Sequence, residues 1–243
     1  MSDSGSPRGP NAGPVLIKFC GLTTSEDARQ AAALGARYAG VILTESPRKV
    51  DIQEAQAIFA AAGPDVAHVA VFGEQSPDKI ATMANILVPD VIQLHGSSSP
   101  TDIDDIRRWF AGRIWAVIGL GPGASTLPPG AEELARAADG VLLDSRVDGR
   151  TGGTGVRLGW ERLGAAVTVL REITSVILAG GLDAGNVGEA VRALGPDVVD
   201  VSSGVERSPG KKDHGRMQAF AEAARSASIK RGRAASSSSL ETE

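Results

Sequence analysis

Short apolar runs alternate with amphipathic stretches along most of this chain. The runs are Val15–Phe19, Tyr38–Leu43, Val66–Phe72, Val91–Leu94, Ile114–Ile118, Gly140–Leu143, Ser175–Ala179 and Val198–Val201. They are rich in valine, isoleucine and leucine and nearly continuous in hydrophobicity, the pattern of strands buried on both faces. Stretches with helical periodicity follow each of them: Ser25–Leu34, Ile52–Ala62, Pro77–Leu87, Asp102–Phe110, Ala131–Ala137, Trp160–Arg171, Ala184–Leu194 and Asp213–Arg225. Start signals mark several helices. Ser25 precedes Glu26-Asp27, Asp51 precedes Ile52, and Ser76-Pro77 places proline in a first turn. Eight strand-then-helix units predict a parallel sheet covered by helices. That number favours closure into a (β/α)8 TIM barrel, a single α/β domain, over an open doubly wound sheet of about five or six strands.

An internal echo supports closure. Ile17 overlies Ile177, Gly21-Leu22 overlies Gly181-Leu182, Ala33-Leu34-Gly35 overlies Ala193-Leu194-Gly195, and Val41 overlies Val201. The first and seventh units thus share one design. The barrel is expected over residues 14–226. Residues 1–13 and 227–243 are poor in apolar side chains and are expected to be disordered tails.

Composition narrows the class. The chain has 243 residues, 42% hydrophobic and 22% charged, as in an ordinary globular protein. The net charge of −4 and the lack of a basic stripe argue against nucleic acid as a partner. No apolar stretch is long enough to span a bilayer, and Met1–Gly13 lacks the apolar segment of a secretory signal. The one cysteine, Cys20, excludes an internal disulfide. A cytoplasmic protein is expected, working as a monomer or homodimer.

In such a barrel, chemistry belongs at the C-terminal strand ends and the loops just after them. Cys20 ends the first run. Lys18 lies two residues before it and falls on the same side of the strand. Strands one and eight are neighbours in a closed barrel, so Asp200 is expected to face Lys18 and pair with it, because an isolated interior ammonium is very costly. Asp144 directly continues the sixth run and is a candidate acid. The glycine-rich loop after it, with Gly152-Gly153-Thr154-Gly155, suits a lid or a phosphate contact. Gly180-Gly181 follows strand seven and Ser202-Ser203-Gly204 follows strand eight; such loops hold a phosphate through backbone N–H groups and hydroxyls. Arg48, after strand two, suits a bidentate carboxylate clamp. Gln93 and His95 share one side of strand four. His68, His95 and His214 show no metal-ligand spacing with Cys20, so no metal is expected.

Taken in order, Lys18-Phe19-Cys20-Gly21-Leu22-Thr23, Ser46-Pro47-Arg48, Gln93-Leu94-His95-Gly96, Leu143-Asp144 with Gly152-Gly153-Thr154-Gly155, Ala179-Gly180-Gly181-Leu182 and Asp200-Val201-Ser202-Ser203-Gly204-Val205-Glu206 resemble the phosphoribosylanthranilate isomerases of tryptophan biosynthesis. The resemblance runs from about residue 15 to residue 222. It implies an Amadori rearrangement of a phosphorylated aminosugar, N-(5-phosphoribosyl)anthranilate, to 1-(2-carboxyphenylamino)-1-deoxyribulose 5-phosphate, with no cofactor. It also implies Cys20 as general base and Asp144 as general acid. Arg48 then lies near the anthranilate carboxylate. Gln93, His95 and Gly153 line the substrate site, and Gly180, Gly181, Ser203 and Gly204 fall in the phosphate loops. Two rivals remain at this point. The related histidine-pathway isomerases carry aspartate where this chain has Cys20. A non-catalytic sugar-phosphate-binding barrel is compatible with the same fold.

Overall fold

The structure is a computed structural model that describes residues 14–96, 98–121, 123–147, 150–151 and 160–238. Its sheet contains β1 (Leu16–Phe19), β2 (Tyr38–Ile42), β3 (Ala67–Phe72), β4 (Val91–Leu94), β5 (Arg113–Leu120), β6 (Gly140–Val147), β7 (Arg150–Thr151), β8 (Ser175–Leu178) and β9 (Val198–Val201). The eight long strands run parallel in the order β5-β4-β3-β2-β1-β9-β8-β6, and β5 pairs with β6 to close the barrel. β7 is a short antiparallel addition to the end of β6. A second hairpin, β10 (Glu206–Ser208) with β11 (Lys211–Lys212), follows β9. The expected TIM barrel is therefore the fold.

Eight helices cover the strands: α1 (Ser25–Ala33), α2 (Ile52–Ala62), α3 (Pro77–Leu87), α4 (Pro100–Arg107), α5 (Ala131–Ala137), α6 (Trp160–Ile173), α7 (Val187–Leu194) and α8 (His214–Ser238). Local chemistry sets their starts. The Thr24 hydroxyl accepts from the Asp27 N–H to cap α1. Asp51 and Glu54 form a capping box on α2. α4 begins two residues earlier than its apolar pattern suggests, because Ser99 caps it through the Asp102 N–H and Pro100 fits the first turn. α7 begins later than expected, because the Asn186 side chain is drawn back into the preceding loop.

Among the other boundaries that differ from the sequence reading, two change the picture. β6 does not stop at Leu143 but continues through Asp144 to Val147, since Gly119 and Leu120 of β5 extend far enough to pair with Asp144 and Ser145. The last helix continues beyond residue 226. Ala227 extends the buried stripe of Met217, Phe220, Ala221 and Ala224, and the Ser228 hydroxyl accepts a 2.8 Å hydrogen bond from the Val15 N–H. Residues 227 and 228 thus belong to the fold rather than to a tail. Residues 1–13 and 239–243 lie outside the described residues.

The two-residue strand period divides the side chains into two cores. Ile17, Phe19, Val141, Leu143, Val199 and Val201 face outward and pack against the helices. Inside the barrel lie Cys20, Tyr38, Val69, Val71, Val91, Trp115, Val117, Leu142, Ile177, Ala179 and Val198. The same inward register carries Lys18 and Asp200, which are direct partners across β1 and β9. Lys18 is fully buried, and its Nζ donates to Asp200 Oδ1 at 2.9 Å. The pairing expected from sequence is present.

Such a pair neutralises two charges held away from water, and removing one partner strands the other. Lys18→Met should lower stability by about 3–5 kcal/mol in urea denaturation, and Lys18→Met combined with Asp200→Leu should recover most of it. A single variant that loses less than about 1 kcal/mol contradicts this role for the pair.

Candidate active site

The C-terminal mouth gathers its polar groups on a few strands. β1 presents Lys18 and, just past its end, Cys20. β9 presents Asp200, and β6 presents Asp144. All four are buried. Lys18 Nζ donates to Asp200, and its charge also acts on the Cys20 thiol two residues along the chain. Burial pushes the Cys20 thiol above its ordinary pKa, and the charge of Asp200 adds to that, while Lys18 and Lys212 pull the other way. Desolvation therefore outweighs the lowering by the nearby ammonium groups.

Asp144 shows the same physics. Burial, aided by the negative charge of Asp200, raises its carboxyl pKa to about 7; the Ser145 backbone N–H and Lys18 offset part of this. Its Oδ1 has no hydrogen-bond partner and is buried. Its Oδ2 lies 3.5 Å from His95 Nε2. His95 Nδ1 in turn lies 3.3 Å from Gln93 Nε2, and Gln93 is buried on β4. The three residues that the sequence places on strands four and six thus form one row. Gly180 closes over Asp144. It holds φ +81°, and a Cβ there would lie 2.6 Å from the Ser145 nitrogen and 2.9 Å from Asp144 Oδ1, so a side chain would displace the acid.

The two glycine loops form beside this row. Gly180-Gly181 follows β8, and a short 3-10 turn over Ser203–Val205 follows β9. Among the described residues, the backbone N–H groups of Gly180, Gly181, Ser203 and Gly204 meet no protein acceptor. They are free to receive an anion. Asn186 holds the first loop in place by donating to the Gly181 carbonyl at 2.9 Å and accepting from the Asp183 N–H at 2.9 Å. Sequence reasoning did not single out Asn186; its signal was a polar residue three positions after Asp183, an Asx-type turn closer. Gly153 and the rest of its glycine-rich loop lie outside the described residues.

Arg48 lies on the Cys20 side of the mouth, against Gly21, rather than in the row of Gln93, His95 and Asp144. Its Nε and Nη2 donate to Glu206 Oε1 and Oε2, both at 2.7 Å. Lys212 Nζ donates to the same Glu206 Oε1 at 2.8 Å and to the Ser202 carbonyl at 3.0 Å. Burial opposes ionisation of Glu206, but Arg48 and Lys212 hold its carboxyl below the usual carboxylate range. Neither Glu206 nor Lys212 was among the residues expected at the site. At the opposite end, where the strands begin, Tyr38, Val91 and Arg113 border a cavity of about 470 Å³ far from these groups.

Comparison with known proteins matches residues 17–223 to the model for N-(5'-phosphoribosyl)anthranilate isomerase. The chain belongs to the N-(5'-phosphoribosyl)anthranilate isomerase family. An isomerase of that name from Acidithiobacillus ferrooxidans is 41% identical over 207 residues, covering 85% of this chain and 95% of the relative. The crystal structure of the phosphoribosyl anthranilate isomerase from Thermotoga maritima superimposes with a TM-score of 0.76 at 30% identity, covering 87% of this chain and 99% of that one. A phosphoribosyl anthranilate isomerase solved with reduced 1-(o-carboxyphenylamino)-1-deoxyribulose 5-phosphate matches with a TM-score of 0.73 at 28% identity, again covering 87% and 99%. The chain is thus an enzyme, an isomerase of tryptophan biosynthesis. Among the described residues, no helix is long and apolar enough to cross a membrane.

The raised pKa of Asp144 has a consequence for stability. As pH climbs from the ordinary carboxylate range to about 7, the folded protein retains a proton that the unfolded chain has released. Stability therefore falls with rising pH through that window. Asp144→Asn removes the cost, and it should melt higher than wild type at about pH 8 and alike at about pH 4. An equal difference at both pH values contradicts the burial argument.

Proposed function

We propose that the chain converts N-(5-phosphoribosyl)anthranilate to 1-(2-carboxyphenylamino)-1-deoxyribulose 5-phosphate, with Asp144 as general acid and Cys20 as general base. The observation that carries this reading is the pairing of a carboxyl kept protonated near neutral pH with a thiol, both facing the interior of one barrel mouth. The relative solved with a reduced form of that ketose supports the choice of substrate. The phosphate is assigned to the free N–H groups of Gly180, Gly181, Ser203 and Gly204, and the anthranilate carboxylate to Arg48. Gln93 and His95 flank the acid from β4 and contact the substrate. Gly153 is assigned to substrate binding.

The steps balance without a cofactor. Asp144 gives its proton to the ring oxygen as the C1–O bond breaks, and the anilino nitrogen lone pair forms a protonated imine with C1. The imine acidifies the C2 proton, which Cys20 removes as thiolate. The positive charge of the imine, formed beside the sulfur, favours that thiolate. The resulting enolamine becomes a ketone when C1 takes a proton from the Cys20 thiol and the C2 hydroxyl proton returns to Asp144. Both residues end as they began. The reaction takes place in the cytoplasm in this reading.

The pH dependence follows from the two pKa directions. The competent form has Asp144 protonated and Cys20 ionised. With the carboxyl at about 7 and the thiol above its ordinary value, that form is a minor one. Its population rises with pH up to about 7, levels off while the two ionisations cancel, and falls above the pKa of the thiol.

Loss of anthranilate-adduct fluorescence reads the rate. Cys20→Ala and Asp144→Asn should each lower kcat by at least ~10²-fold. The residual kcat/KM of Asp144→Asn should keep climbing above about pH 7, where wild type levels off. Near-wild-type kcat in either variant rejects the assignment, and so does an unchanged break in the Asp144→Asn profile.

A further inference from the structure

We propose that Glu206 is a positioning residue for substrate binding: it grips one edge of the Arg48 guanidinium so that the other edge is presented, already oriented, to the substrate carboxylate. This rests on the assignment of Arg48 to the anthranilate carboxylate and adds the residue that makes Arg48 selective.

A guanidinium carries five N–H groups in a rigid plane. Glu206 occupies the Nε edge, using Nε–H and one N–H of Nη2, both at 2.7 Å. The end edge, formed by Nη1 and the second N–H of Nη2, meets no protein acceptor among the described residues. That edge matches the two oxygens of a second carboxylate. Arg48 can therefore bind substrate without releasing Glu206, and its plane is fixed beforehand.

The grip is itself anchored. The Glu206 side chain is 4% exposed, against 13% for Arg48, so the anchor is drier than the arm it holds. Lys212 is buried, and it ties Glu206 Oε1 to the Ser202 carbonyl at the head of the loop assigned to the phosphate. The hairpin that carries Glu206 and Lys212 also touches the first loop, where the Thr23 hydroxyl donates to the Gly210 carbonyl at 2.5 Å. Gly21, next to Cys20, leaves the space in which Arg48 lies: at φ +65°, a Cβ there would sit 2.6 Å from Arg48 Cδ. One ionic chain, Arg48–Glu206–Lys212–Ser202, thus sets the separation between the carboxylate and phosphate subsites. A fixed separation discriminates between ligands by length as well as by charge, because a floppy arginine pays its ordering entropy again for each ligand.

The test compares two substrates that differ only in the carboxylate, N-(5-phosphoribosyl)anthranilate and N-(5-phosphoribosyl)aniline. Glu206→Gln should raise KM for the anthranilate at least about tenfold, with kcat within about threefold, as expected when a charge-assisted hydrogen bond to the substrate acts in binding alone. KM for the aniline should change less than about twofold, because nothing in it reaches Arg48. Glu206→Asp, which keeps the charge and shortens the reach, should show the same split at smaller size and covers the case in which Glu206→Gln does not fold. An equal rise for both substrates, or no rise for either, overturns the positioning role. Arg48→Lys separates the two claims: if it leaves the anthranilate KM unchanged while wild type turns the compound over, the carboxylate assignment of Arg48 fails, and the inference fails with it. No turnover by wild type rejects the proposed reaction itself.

Discussion

The ion pair between Lys18 and Asp200 is the constraint around which this barrel is organised. Its two strands, β1 and β9, are the first and last of the barrel, and the pair bridges the seam where the chain closes on itself. A lysine fully removed from water folds only against a carboxylate, so the inward register of both strands is fixed together. A slip of one residue would bury an unpaired charge and turn Ile17 and Phe19 inward if it fell on β1, or Val199 and Val201 if it fell on β9. Covering apolar surface alone does not specify register this sharply.

The same pair shapes the chemistry above it. The Asp200 charge, added to burial, makes a second ionised carboxylate nearby unfavourable, and Asp144 keeps its proton to about pH 7 as a result. Lys18 pulls the Cys20 thiol pKa down, yet burial pushes it up and the partner Asp200 adds to that and so opposes the ammonium. A thiol whose pKa is raised by burial ionises more readily when a further cation forms beside it. In the proposed reaction the substrate supplies that cation as the protonated imine. Activation of the base is thereby tied to the step that the acid performs.

Much of this was legible in the chain. The eight apolar runs and the helices between them follow from periodicity, because strands buried on both faces leave a near-continuous hydrophobic signal. The two-residue spacings Lys18/Cys20 and Gln93/His95 survive directly as shared faces. Asp200 could be matched to Lys18 because barrel closure makes the first and eighth strands neighbours. What escaped notice depends on contacts between loops distant in sequence. Glu206 and Lys212 carried no assigned role in the sequence, and only the β10–β11 hairpin brings them to Arg48. The length of β6 also escaped, because Asp144 and Ser145 are polar and look like a strand's end, although Gly119 and Leu120 continue to pair with them. Ala227 and Ser228 were hidden by the polar, serine-rich stretch that follows them.

Burial beside Asp200 holds the Asp144 carboxyl neutral until about pH 7. Carbon-13 NMR of protein labelled at the aspartate carboxyl carbons tests it most directly, with the Asp144 signal identified by its absence from Asp144→Asn. A titration midpoint near 7 is expected for that carbon. A midpoint near 4, the ordinary value for an aspartate in water, would contradict it.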